Sequence, residues 1–74
     1  MCYYVTETTK NSGFRCRRAE KLKADTLQKA RKEAVEKQFF EGTVLYVGEK
    51  VDCAGYLTEA VCEYRNGKWQ RTAS

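Results

Sequence analysis

Along the chain the apolar positions begin with a period of two, pass to a helical period, and return to a period of two. Residues 2–8, CYYVTET, concentrate aromatic and β-branched side chains and predict a strand. The cluster Lys10-Asn11-Ser12-Gly13 predicts a turn, and residues 13–19 predict a second strand. In that strand Phe14, Cys16 and Arg18 share one face, while Arg15, Arg17 and Ala19 share the other. With the first face packed inward, Arg15 and Arg17 point to solvent.

The helical stretch starts near Asp25, a good N-cap residue, and Gln28 three positions on completes a capping-box pattern. Leu27, Ala30, Ala34 and Gln38 form the apolar stripe, widened by Val35 and Phe39. Two alanines at its centre let a helix come close to a sheet. Lys29, Lys32, Glu33, Glu36 and Lys37 lie off the stripe and Arg31 lies at its border. Gly42 is placed to end the helix in the left-handed conformation.

Residues 43–47 are almost continuously apolar and predict a central strand. A polar loop over 48–55 and a strand over 56–64 follow. Asn66-Gly67 is the sharpest local signal, a two-residue type I′ hairpin. That turn sets Tyr64 opposite Trp69 and Glu63 opposite Gln70, and an aromatic pair there contributes ~0.5–1.5 kcal/mol beyond its burial. The expected class is α+β: a five-stranded antiparallel sheet with one helix packed on it, in the order β-β-α-β-β-β.

Composition narrows the functional classes. A chain of 74 residues is expected to form a single domain with a core one layer deep. No apolar run is long enough to span a membrane. The opening MCYYVTETTK lacks a signal pattern, so export is not expected and a cytoplasmic location is. The net charge of +4 is unevenly spread: residues 10–37 carry ten Lys/Arg against four Asp/Glu, and the remainder four against six. The basic half is suited to phosphate or to an acidic protein, unless it is simply a solvated helix face. Cys2, Cys16, Cys53 and Cys62 show no Cys-x-x-Cys spacing, and there is no histidine. No metal, disulfide or cofactor is therefore expected, and the cysteines read as small buried or half-buried apolar residues.

Catalytic groups are scarce. Without histidine, acid–base work falls to carboxylates, tyrosine or lysine. The aspartates are only Asp25 and Asp52, and the serines only Ser12 and Ser74. No phosphate-cradling glycine motif occurs. Glu33 and Glu36 lie among Lys29, Lys32 and Lys37 and read as exposed ion pairs. No enzyme is expected, and binding remains. Tyr3, Tyr4, Phe14, Tyr46, Tyr56, Tyr64 and Trp69 could include a base-stacking platform. In so shallow a domain the core reading of these rings is favoured.

Leu27, Ala30, Arg31-Lys32, Ala34, Gln38, Phe40 and Gly42-Thr43-Val44 resemble the core motif of the ninth-named family of type I-F anti-CRISPR proteins. The Gly67-Lys68-Trp69 hairpin is similar too. Those proteins are phage-encoded inhibitors of the crRNA-guided type I surveillance complex. The resemblance implies a curved five-stranded sheet with one helix, docked on the lysine-rich backbone subunits where guide RNA would pair with target DNA. It further implies non-specific recruitment of double-stranded DNA through basic helix residues. Arg31 and Lys32 match that basic pair, and Gln38 matches a subunit-contacting position. Where the family carries a further helix lysine this chain has Glu36, with Lys37 one place later and about 100° around the helix.

Two functional readings result. In the first, an anti-CRISPR protein, monomeric when free, blocks hybridisation sterically. Gln38, Phe40, Arg31 and Lys32 contact the partner, and Arg31, Lys32 and Lys37 form a DNA-facing patch. In the second, a small accessory protein of a phage or mobile element binds nucleic acid directly through Arg15, Arg17, Lys29, Lys32 and Lys37. A structural or toxin-type interaction module is a third possibility.

Overall fold

The computed structural model describes residues 2–10, 13, 17–40 and 42–71. Five strands and one helix follow in the order β1 (Tyr4–Thr8), β2 (Glu20–Lys21), α1 (Leu27–Glu36), β3 (Val44–Gly48), β4 (Cys62–Arg65) and β5 (Lys68–Arg71). All strand pairs are antiparallel. They form one sheet in the spatial order β2-β1-β3-β4-β5. The α+β class, the element order and the central place of β3 are as the sequence predicts.

The sheet divides its side chains between two cores. Val5, Leu45, Val47 and Cys62 lie on one face beneath Ala30 and Ala34, with Tyr3, Leu22, Leu27, Val35, Tyr64 and Trp69 around them. Both alanines are fully buried, so the helix comes close to the sheet as their small size allows. Val44 and Tyr46 point the other way and pack with Leu57, Tyr4, Ala19, Val51 and Ala60. Every residue of β3 is buried, because both faces of this strand are covered. That accounts for its nearly continuous apolar sequence.

The second core explains why the strand predicted over 56–64 is divided. Only residues 62–65 join the sheet, while residues 49–61 fold across the opposite face. Asp52 shapes that fold: its Oδ1 accepts from the backbone N–H groups of Ala54 and Tyr56, both at 3.0 Å. Val51 and Leu57 then bridge, and Leu57 drops into the core with no exposed surface. The loop can lie this close because residue 48 is glycine. A Cβ at Gly48 would collide with the Glu59 carbonyl oxygen and lie 2.9 Å from the Leu57 side chain.

Three other boundaries move. Among the described residues the second strand forms at Glu20–Lys21, and residues 17–19 of the strand predicted over 13–19 stand outside it. Phe14, Arg15 and Cys16 lie outside the described residues. Ala19, expected on the outer face, packs in the second core, whereas Arg18, expected inward, is exposed. The helix is capped by Thr26, whose Oγ1 accepts from Lys29 N–H at 3.3 Å. Asp25 instead pairs with Lys29 at 3.5 Å. The helix also ends earlier, with Lys37 as its C-cap. Gly42, at φ +79°, serves a later turn, so Phe39 and Phe40 leave the helix altogether.

Asn66-Gly67 behaves as read. Both residues have positive φ, 55° and 77°, as a type I′ turn requires. Tyr64 pairs with Trp69 and Glu63 with Gln70. The two rings lie 5.0 Å apart between centroids, tilted by 47°.

Candidate functional site

The early end of the helix creates the most distinctive surface of the molecule. After Lys37 the backbone amides of Phe39 and Phe40 would ordinarily seek helical carbonyls. They are captured instead by the two oxygens of Glu7, each at 2.9 Å. An ionised carboxylate is the stronger acceptor, and β1 delivers it from across the sheet. Thr43 Oγ1 lies 2.8 Å from Glu7 Oε2 and 2.8 Å from the Phe40 carbonyl. It also accepts from Gln38 Nε2 at 3.0 Å. This network fixes the backbone of the segment after the helix, while the two phenyl side chains project outward. Phe39 is 79% exposed and Phe40 66%.

Burial of Glu7 acts to raise its pKa. The Phe39 and Phe40 amides, the Thr43 hydroxyl and the Arg17 charge outweigh it, and the carboxyl titrates below its ordinary value. The site therefore stabilises the ionised form, which can accept all three hydrogen bonds.

Gln38 and Phe40, expected as a partner-contacting pair, do share this segment. Gln38 is half-buried and also lines a depression with Lys10, Gly42, Thr43, Tyr64, Asn66 and Gly67. The basic residues do not all share one patch. Arg31 is half-buried, with its guanidinium carbon 5.7 Å from the Trp69 ring centroid. Its Nε is buried and has no hydrogen-bond acceptor. It also touches Cys62, where burial pushes the thiol pKa up despite the hydrogen bond and charge from Arg31. Arg31, Trp69 and Tyr64 thus make a stack that ties the helix to the last hairpin.

Lys29, Lys32 and Lys37 do come together, around a shallow depression that Lys23, Glu33 and Glu36 also line. Lys32 is exposed on its outer side. Lys29 is paired with Asp25, and Lys37 with Glu20 at 3.1 Å. Glu33, expected as a partner of helix lysines, turns its carboxylate to the backbone amides of Lys23 and Ala24 at 3.0–3.1 Å. Arg17 is exposed beside a cavity of about 70 Å³ that Glu7, Glu20, Phe39 and the same Lys37 also line. Arg15 lies outside the described residues.

Among the described residues no group of three or more His, Cys, Asp or Glu could hold a metal ion. No described helix is long and apolar enough to cross a membrane. Cys62 is buried as expected, but Cys2 and Cys53 are exposed, and all three are free thiols. Cys2, just before β1, and Cys53, in the loop after β3, lie outside both cores. Cys16 lies outside the described residues.

Sequence reasoning missed Glu7 and Thr43. A signal for Glu7 was present: in YVTET it shares a face with Val5, where alternation calls for an apolar residue, and it pairs with Leu45. The aromatic residues weighed as a platform are buried or half-buried where described, and among the described residues Phe39 and Phe40 are the exposed rings. Fold and surface together define a small α+β domain bearing a clamped, outward-facing aromatic pair. No family model matches the chain, and no curated protein matches it significantly.

Proposed function

We propose that the protein is an anti-CRISPR inhibitor acting by occupancy rather than by catalysis. It docks through Gln38, Phe40 and the adjoining Phe39 onto backbone subunits of a type I, I-F-like, crRNA-guided surveillance complex. There it blocks the channel in which target DNA pairs with the guide. The observation carrying this reading is the exposed Phe39–Phe40 pair on a backbone fixed by Glu7. Rigid aromatic anchors dominate the energetics of protein interfaces. The β-β-α-β-β-β order is also the one that the sequence resemblance implies, although fold alone carries no function.

The test is co-purification of the tagged protein with the surveillance complex, followed by target-DNA binding. Capture with lost target binding supports the reading, and Phe40→Ala should weaken capture roughly 10-fold or more. Failure of the wild-type protein to retain the complex, with target binding intact, overturns it.

The gathering of Lys29, Lys32 and Lys37 favours direct nucleic-acid binding as a second reading. Three phosphate contacts would give a log–log salt dependence no steeper than about −2.7. Binding of bare DNA with such a slope, lost on charge reversal of Lys32, would favour it over docking.

A further inference from the structure

The geometry points to Glu7 as the positioning residue of the docking segment, holding the Phe39–Phe40 pair in one presented conformation before any partner arrives. The inference rests on the docking reading above and concerns a residue remote from it in sequence. Glu7 lies 32 and 33 positions before the amides it binds. It sits on the helix-facing side of β1 beside Leu45, just where the helix has ended and no longer covers the sheet. An apolar side chain there would cover Leu45 but would leave the amides of Phe39 and Phe40 to water. The carboxylate satisfies both, and the Thr43 hydroxyl, lodged between Glu7 and the Phe40 carbonyl, closes the turn.

Two large rings facing water have little of their own to hold them. Without the carboxylate, the described residues between the helix and β3 would keep the Gln38 N–H bond to the Val35 carbonyl and the Gln38–Thr43 and Thr43–Phe40 hydrogen bonds, none of which holds the amides of Phe39 and Phe40. Binding would then have to order the backbone as well as the rings, which weakens association without removing any interfacial contact. A pair fixed in this way fits a partner offering a concave apolar pocket already shaped for two rings.

The test uses the full chain with Glu7→Gln and Glu7→Ala, and two readouts. The first is amide hydrogen exchange of the free protein. Exchange at Phe39 and Phe40 should accelerate roughly 10-fold or more in Glu7→Ala and less in Glu7→Gln, because Gln keeps one acceptor oxygen. Exchange at Leu45 and Val47 in the central strand should stay unchanged. The second is affinity for the surveillance complex, wild type exceeding Glu7→Gln and Glu7→Ala weakest. That loss should vanish when Phe39 and Phe40 are both alanine, since a positioning residue has nothing left to position.

Unchanged Phe39 and Phe40 exchange in Glu7→Ala overturns the inference. So does an affinity loss that persists undiminished without the two rings, which would mark Glu7 as a direct contact or a general stabiliser. Should Glu7→Ala accelerate exchange throughout the sheet, Glu7→Gln carries the comparison alone. Should the wild-type protein fail to bind the surveillance complex, the docking reading falls, while the exchange data still decide whether Glu7 holds the segment.

Discussion

Arg31 was assigned by sequence to a surface patch, yet its guanidinium lies over Trp69 and touches Cys62. Substitution separates the two roles. The cation–π contact stabilises the fold by about 0.5–2 kcal/mol, and its stem adds packing between helix and hairpin. Against this stands the buried Nε without an acceptor, a defect costing about 1–3 kcal/mol. Arg31→Met removes the attraction and the defect together while keeping the stem, so it should leave stability within about 1 kcal/mol of wild type. Arg31→Glu loses the attraction and sets a carboxylate against the negative face of the indole. It should cost about 2–3 kcal/mol, a large part of the roughly 4–11 kcal/mol typical for a chain of this length. Urea denaturation followed by fluorescence of the single tryptophan measures both, since Trp69 is the ring concerned. Wild-type stability in Arg31→Glu would refute the stacking argument and return Arg31 to the surface. If the argument holds, charge reversal at Arg31 cannot serve as a test of DNA contact, and Lys32 must be used alone.

Leu57→Ala should cost ~2–5 kcal/mol in urea denaturation, because Leu57 is the central side chain of the second core. A cost below about 1 kcal/mol would mean that residues 49–61 do not cover the sheet. The Glu7 clamp depends on pH in a defined direction. With its folded pKa below the ordinary 4.5, its contribution is fully present above that value and is lost as pH falls through the folded one. Arg17 faces the carboxylate, and Arg18, Glu20 and Lys37 line the same cavity. Phe39 and Phe40 amide shifts should therefore titrate with a midpoint under 4.5, and a midpoint at or above that value would contradict the clamp. Alkylation under native conditions at mildly alkaline pH should label Cys2 and Cys53 and spare Cys62, whose thiol is buried and hard to ionise. Labelling of Cys62 at the same rate would contradict its burial.

What the sequence made legible was local. The Asn66-Gly67 turn dictates its own register, and the alternation in β1 and the apolar run of β3 follow from burial on one face or two. The alanine stripe set the buried side of the helix for the same reason. What stayed hidden was decided by distant partners. Thr26 and Asp25 are both competent caps, and nothing local chooses between them. The helical pattern runs on through Phe39, but a carboxylate from β1 intercepts its amides. The apolar residues of 56–64 look like one strand because periodicity does not distinguish a residue paired in a sheet from one pressed against its face. The site followed the same rule: the motif pointed to Gln38 and Phe40 and the alternation in β1 marked Glu7 as out of place, but only proximity joins Glu7 and Thr43 to the segment after the helix.

The same proximity weighs the two functional readings against each other. A phosphate surface needs cations that are co-facial and able to give themselves to the ligand. Here Arg31 is committed to Trp69, Lys29 and Lys37 stand beside Asp25 and Glu20, and Arg17 lies toward Glu7 across the cavity that Lys37 also lines. Exposed ion pairs are weak and can be exchanged for phosphate, so the helix face is not barred from nucleic acid. Each exchange nevertheless surrenders an existing attraction and lowers the net gain. Phe39 and Phe40 surrender nothing of the kind, since their rings face water and their amides are already satisfied by Glu7. Burying them against a partner gains apolar area with little backbone left to order. The balance of available interactions therefore lies with an apolar docking contact, with the basic helix face as an adjunct to it.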